Sequence, residues 1–216
     1  MKVGTDGVLL GAWCPKGTHV LDIGTGSGLI ALMAAQRFPE ASVDAIDIDE
    51  AAVEQARENF AASPWTERLH AYQSSLQDWQ APEYDLIVSN PPYFQNSLKN
   101  PDKARQTARH TDTLSYSELL SHSARLLSEN GTLELILPAE AEQEILTLAA
   151  RHSLCLTRIT CVYSKESKPA RRVLMRFEKS TNRETGVRPL EDTLVLENET
   201  GGRSAAYQEL TKDFYL

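Results

Sequence analysis

The sequence predicts an α/β fold in which a mostly parallel sheet carries helices on both faces. Short apolar strands alternate with helical patterns of about 10–14 residues. A glycine-rich turn, Gly24-Thr25-Gly26-Ser27-Gly28, joins a strand to a helix, and Asn90-Pro91-Pro92-Tyr93 follows a buried strand. In such a sheet ligands gather at the carboxyl ends of the strands, so both motifs should open onto one rim.

Thr5 and Asp6 precede a predicted helix over Gly7–Trp13, and His19–Ile23 reads as the first strand. Leu29–Phe38 is apolar at helical spacing and is stopped by Pro39. Val43–Ile48 is a second strand, and Glu50–Ala62 a helix ended by Ser63-Pro64, with Asp49 as its N-cap. Leu69–Gln73 and Tyr84–Ser89 are the next strands. Residues 95–114 are polar and weakly patterned and read as a long loop. Ser115 caps a helix to about Ser128, with Glu118 at the capping-box offset. Asn130-Gly131 turns into the strand Thr132–Leu137, and a helix follows over Ala139–His152. Cys155–Tyr163 and Arg172–Phe177 form a hairpin around polar Ser164–Ala170. Thr193–Glu197 reads as a short extra strand and Tyr207–Phe214 as a terminal helix.

At 216 residues the chain is expected to be one domain, 1–216, with a 37-residue tail from 180 to 216 as a C-terminal extension. At 41% hydrophobic and 24% charged it is ordinary for a globular protein, which excludes wholesale disorder. Its longest near-apolar run, Gly28–Ala35, is far short of the roughly 20 residues that span a bilayer. Cys14, Cys155 and Cys161 form no CxxC, which argues against a disulfide framework, and the histidines lack metal-ligand spacing. The expectation is a soluble cytoplasmic protein without a metal. The net charge of −8 is uneven: residues 1–93 carry 5 basic and 13 acidic side chains, whereas Arg151–Lys179 holds 8 basic and 2 acidic. The overall sign counts against a nucleic-acid partner and the local patch for one. A solvated strand and turn is the rival reading of that patch.

Glycines at 24, 26 and 28 let a ligand approach the backbone at a helix N-terminus. The spacing is GxGxG; the third glycine of a dinucleotide fingerprint would stand at position 29, which is Leu29, and this weighs against NAD or FAD. Asp47, at the end of the next strand, suits a ribose diol.

The stretch Val20–Gly28 with Ala45-Ile46-Asp47-Ile48-Asp49 resembles the cofactor half of class I S-adenosylmethionine-dependent methyltransferases. The resemblance implies a Rossmann-like fold with a seven-stranded, mostly parallel sheet ending in an antiparallel hairpin. It also implies S-adenosylmethionine as cofactor. The glycine loop would lie against its methionine and ribose, Asp22 would order the loop and the amino group, Asp47 would hold the ribose, and Ile48 would pack on adenine. An acidic residue often meets the adenine amine after the third strand; here Ser75, beside Leu76, stands there.

Consecutive prolines fix φ and remove N–H donors, so Asn90–Tyr93 is a rigid turn with aimed carbonyls. The Asn90 amide oxygen and the Pro91 carbonyl suit the two hydrogens of one planar amine, whose developing charge they would stabilise. Tyr93 offers a stacking face for a flipped-out base, and Phe94 extends it. The tetrad resembles that of methyltransferases acting on adenine N6, cytosine N4, guanine N2 or glutamine N5. Glutamine enzymes characteristically carry a helical domain before the glycine loop, and 21 residues before Asp22 leave no room for one.

Met1-Lys2-Val3-Gly4-Thr5-Asp6-Gly7-Val8-Leu9-Leu10-Gly11-Ala12-Trp13 resembles the opening of the bacterial tRNA1(Val) adenine-N6-methyltransferases, whose members usually carry some residues ahead of this stretch. Ala108-Arg109-His110, Lys168–Leu174 and the ending Leu210–Leu216 extend the resemblance over nearly the whole chain. It implies methyl transfer to an anticodon-loop adenine of tRNA. Alternatives are a guanine-N2 RNA enzyme, a glutamine-N5 protein enzyme, or a non-catalytic module that binds cofactor and RNA. Residues 1–15, with Thr5, would cover the cofactor; a capping role for Thr5 or Asp6 is the competing reading. Arg109 and His110 suit a lid or phosphate contact. Lys168, Arg171 and Arg172 suit tRNA phosphates, with strand-end solubility as the rival explanation.

Overall fold

The computed structural model describes residues 4–92, 114–182 and 188–214, and the fold follows the expected alternation. Its elements are α1 (Thr5–Trp13), β1 (His19–Ile23), α2 (Leu29–Arg37), β2 (Ser42–Asp47), α3 (Glu50–Ala61), β3 (Leu69–Gln73) and β4 (Tyr84–Ser89). After the undescribed stretch come α4 (Tyr116–Leu126), β5 (Leu127–Pro138), α5 (Glu142–Arg151), β6 (Leu154–Tyr163), β7 (Ala170–Lys179), β8 (Leu190–Val195) and α6 (Ala205–Thr211).

One sheet runs in the order β3-β2-β1-β4-β5-β7-β6-β8. The strands from β3 to β5 pair in parallel, and β7 lies antiparallel to both β5 and β6. Among the described residues the sheet has eight strands where seven were expected. The extra one, β8, pairs in parallel with β6 and starts three residues before the anticipated Thr193. Arg158 on β6 explains its seat: its guanidinium donates to Asp192 Oδ2 at 2.7 Å, and the Thr160 hydroxyl also bonds the Asp192 carboxylate.

Among the described residues the two large apolar cores lie on opposite faces of the sheet, and a small cluster of Val8, Ala12 and Met33 joins α1 to α2. Leu9, Leu10 and Trp13 of α1 share one with α2, α3 and the alternate residues Val43 and Ala45 of β2. Leu119 and Leu120 of α4 and Ile145 of α5 share the other with Leu21, Ile46, Ile87 and Leu135. This is what near-continuous apolar strands require, since both sides of each are covered.

Local chemistry sets the helix ends. The Asp49 carboxylate caps α3 by accepting from Ala51 N at 3.0 Å. Ser115 and Glu118 form the reciprocal capping box of α4, which lowers the Glu118 pKa. The helix expected from Ala139 begins as a 3-10 turn, Ala139–Ala141, and only Glu142–Arg151 is α-helical. Asn130-Gly131 lies inside β5 as an irregularity, with Tyr84 opposite Leu127 and Leu86 opposite Thr132. A Cβ on Gly131 would stand 2.8 Å from the Tyr84 carbonyl, so tight packing selects glycine there. Among the described residues no helix is long and apolar enough to cross a membrane.

Candidate functional site

β1 and β4 are parallel neighbours with Ile23 opposite Ser89, so the residues after each leave the sheet side by side. The buried Ser89 hydroxyl donates to the Ile23 carbonyl at 2.9 Å and locks that register. Gly24 and Asn90 are the next residues, and the two motifs therefore share one rim as expected.

The glycine turn is held from below and from the side. Gly24 N and Thr25 N donate to the Ile46 carbonyl at 2.9 and 3.1 Å. Asp47 accepts from Gly26 N at 2.9 Å through Oδ2 and from Asp49 N at 3.0 Å through Oδ1. Asn59 of α3 donates to the Ser27 carbonyl at 2.8 Å. Gly24 and Gly28 face opposite surroundings, although both have positive φ (70° and 79°). A Cβ on Gly28 would meet the Phe60 ring at 2.4 Å, whereas one on Gly24 would meet nothing within 4 Å. Gly28 is thus a packing requirement, and Gly24 opens toward space a ligand can take.

Asp22 lies wholly buried beneath the loop. Its Oδ2 accepts from the Thr25 hydroxyl at 2.7 Å, and its Oδ1 has no hydrogen-bond partner. Burial pushes its pKa up to about 6, despite the Thr25 hydroxyl and the Ala31 N–H, and nearby Asp47 adds to the rise. A buried unpaired acceptor is costly until a donor, from water or a ligand, completes it. Ile48 beside Asp47 is 53% exposed, an apolar surface at the same rim. Buried acceptor, open glycine backbone, terminal carboxylate and apolar plate together fit a cofactor with an ammonium, a ribose and an adenine.

Half-buried Asn90, buried Pro91 and exposed Pro92 line a cleft of about 390 Å³ whose other wall is Gly4, Thr5 and Asp6. Thr5 and Asp6 do not cap α1: Gly4 is its N-cap, and no side chain bonds there. Asp6 instead accepts from Arg172 Nε at 2.9 Å.

The remaining expected residues scatter. Leu76 is buried in the core, while the Ser75 hydroxyl donates to Asp78 Oδ2 at 2.7 Å and accepts from Asp78 N. Lys168 and Arg171 are exposed on the β6–β7 turn and at the start of β7, and Arg172 is half-buried. Tyr93, Phe94, Arg109 and His110 lie outside the described residues. Cys155 and Cys161 are free and half-buried, and burial of the Cys14 thiol pushes its pKa up to about 12. Among the described residues no group of three or more His, Cys, Asp or Glu side chains is placed to hold a metal ion.

The sequence model of the methyltransferase small domain matches residues 7–148. A protein of Aeromonas hydrophila named tRNA1(Val) (adenine(37)-N6)-methyltransferase is 47% identical over 220 residues, spanning all of this chain and 91% of its own length. One of the same name from Bacteroides thetaiotaomicron is 44% identical with the same coverage. The chain belongs to the tRNA1(Val) (adenine(37)-N6)-methyltransferase family.

The fold of this methyltransferase recurs in a predicted O-methyltransferase from Agrobacterium tumefaciens, with a TM-score of 0.72 at 17% identity over 96% of both chains. It recurs also in a Brevibacillus brevis O-methyltransferase in complex with S-adenosyl-L-homocysteine, with a TM-score of 0.58 at 18% identity over 82% of this chain and 72% of that one. Three supports of this methyltransferase's site escaped the sequence reading: Ser89, Asn59 and the Asp6–Arg172 pair. Each joins distant segments, and a serine, an asparagine or one arginine in a basic run carries no local signal of its partner.

Proposed function

We propose that this protein transfers a methyl group from S-adenosylmethionine to the exocyclic N6 of adenine 37 in tRNA1(Val), in the cytoplasm. The shared rim carries the reading: the Ile23–Ser89 register sets Asn90-Pro91-Pro92 beside the glycine loop, with the cleft between them and α1. The names of the full-length relatives supply the nucleotide.

Bound S-adenosylmethionine supplies a methyl carbon made electrophilic by its sulfonium sulfur. Asp22 would order the loop and the cofactor ammonium, Asp47 would hold the ribose hydroxyls, Ile48 would pack on the adenine face, and Gly24 and Gly26 would allow the close approach of backbone, with Gly28 packed on Phe60 behind them. Ser75 and Thr5 would complete the surroundings, while Leu76 serves the core. On the substrate side, Asn90 Oδ1 and the Pro91 carbonyl accept the two hydrogens of the adenine amine. Two fixed acceptors favour the charged nitrogen that forms as the nitrogen–methyl bond is made and the sulfur–methyl bond breaks. The extra proton passes to water afterwards, so no strong base is needed. Pro92 stiffens the turn, and Tyr93 and Phe94 give the base a stacking surface. Arg109, Lys168 and Arg171 supply positive charge for the phosphates. Residues 1–216 form one domain in this reading: within the N-terminal segment 1–15 it is Gly4, Thr5 and Asp6 that would cover the cofactor, the rest of α1 packs in the core, and 180–216 is an extension.

Nucleoside mass spectrometry of tRNA1(Val) incubated with the protein and S-adenosylmethionine tests this, with N6-methyladenosine at position 37 expected. N2-methylguanosine, methylated protein, or no product would each overturn it.

Asp22 adds a pH signature. Burial holds its pKa up at about 6, and a cofactor ammonium beside it would favour the ionised form. Cofactor affinity should therefore be level above about pH 6 and fall by up to about tenfold per unit below it. Calorimetric Kd values across that range check this, and Asp22→Asn should flatten the profile. A constant Kd would remove Asp22 from the contact.

A further inference from the structure

Arg172 lies where phosphate recognition was expected, yet the structure commits its guanidinium elsewhere. Its Nε donates to Asp6 Oδ2 at 2.9 Å across 166 residues of sequence. One Nη1 donates to the Arg171 carbonyl at 2.9 Å, so the chain's own backbone orients the group. Arg172 stands opposite Pro138, the last residue of β5. Because β7 runs antiparallel, its beginning reaches the same rim as the carboxyl ends of β4 and β5.

The two ends of α1 are held differently. At its C-terminal end Trp13 is buried, with its Nε1 donating to Thr160 Oγ1 at 2.9 Å, and Arg37 donates to the Gly11 and Cys14 carbonyls. At the N-terminal end Gly4 offers no side-chain cap, and the Val8 N–H reaches the Gly4 carbonyl at a long 3.3 Å. The first turn nevertheless forms one wall of the cleft, with Gly4, Thr5 and Asp6 facing Asn90, Pro91 and Pro92. Asp6 is also favourably placed near the positive end of the helix dipole.

We propose that Arg172 and Asp6 are positioning residues: their ion pair fixes the first turn of α1 as the wall facing Asn90 and Pro91. The proposal rests on the methyl-transfer reading of that cleft. With side chains 29% and 22% exposed, such a pair adds only about 0–1 kcal/mol to stability. Its larger effect is geometric, because a small displacement of a wall that orients reactants slows the reaction far more than it weakens the fold. It also offsets the Arg172 charge, which separates this residue from Lys168 and Arg171 as a phosphate ligand.

The test compares Asp6→Asn, Arg172→Ala, the double variant and the swap Asp6→Arg/Arg172→Asp in the full chain. Three readouts are taken: hydrogen exchange of the Val8 and Leu9 amides, the first that α1 bonds, without ligands, tRNA affinity against salt, and turnover. Each single variant should speed exchange at these two by about fivefold, leave 10–13 unchanged, and lower kcat by about tenfold. The tRNA salt slope should not move, the double variant should be no worse than either single one, and the swap should restore most of the protection. The proposal is overturned if Arg172→Ala instead lowers the salt slope by about one while Asp6→Asn changes neither exchange nor turnover, the signature of a phosphate contact. If the parent methylates no tRNA, the methyl-transfer reading fails, and the exchange data still decide whether the pair holds the turn.

Discussion

Asn90→Ala should lower kcat for methyl transfer by about 100- to 1000-fold and leave the S-adenosylmethionine Kd within about twofold. That range is the usual cost of deleting one preorganised partner of a developing charge in a site shielded from water. Asn90 is half-buried at the end of β4, and its backbone is constrained by Pro91 and Pro92 and by the Ser89–Ile23 bond beneath it. Removing the amide therefore deletes the acceptor and leaves the rim in place. The cofactor surface we propose uses other residues: Asp22, Asp47 and the glycine turn, which are bonded to one another. Single-turnover transfer to tRNA with saturating cofactor measures the first quantity and calorimetry the second. Unchanged turnover would contradict the role given to Asn90, and a parallel loss of cofactor affinity would show that the rim itself had shifted.

Trp13→Ala should destabilise the fold by about 3–5 kcal/mol, the cost of truncating a large buried aromatic side chain. In a chain of this size that is a fall in Tm of roughly 6–20 °C. Trp13 does more than fill space. Its ring lies 4.9 Å from the Arg158 guanidinium carbon and 5.2 Å from that of Arg176, and its N–H bonds Thr160. Those arginines in turn pair with Asp192 and with the fully buried Glu134, whose pKa burial pushes up to about 7 against the pull of Arg176. One ring thus couples α1 to β5, β6, β7 and β8. Trp13→Phe should recover most of the loss, leaving about 1 kcal/mol for the hydrogen bond to Thr160. Urea denaturation of the three proteins measures the difference; a deficit below about 1 kcal/mol for Trp13→Ala would show that α1 is anchored elsewhere.

The elements that local chemistry specifies were legible in the sequence. Asp49 caps α3, Ser115 and Glu118 form their reciprocal box, and both informative motifs leave parallel strands at one rim. The misreadings have a common cause. Asn130-Gly131 has the composition of a turn but sits inside β5, because Tyr84 and Leu127 still pair before the irregularity. Leu190–Val195 lacks a strong strand pattern and is recruited to the sheet edge by Arg158 and Thr160 through Asp192. The meeting of Arg172 with Asp6 is no misreading but a contact without local signal, since only the antiparallel course of β7 brings the two together.

By itself the sequence determined the order of strands and helices, the glycine turn and the proline-stiffened corner, because backbone freedom, capping and apolar periodicity act over a few residues. The tertiary structure alone decided which acceptors, Asp22 Oδ1 and Glu134 Oε2 among them, are left buried and unpaired, which carboxylate meets which arginine, and how α1 closes against the rim. Those depend on burial and on contacts between segments up to 166 residues apart, and no local pattern encodes them.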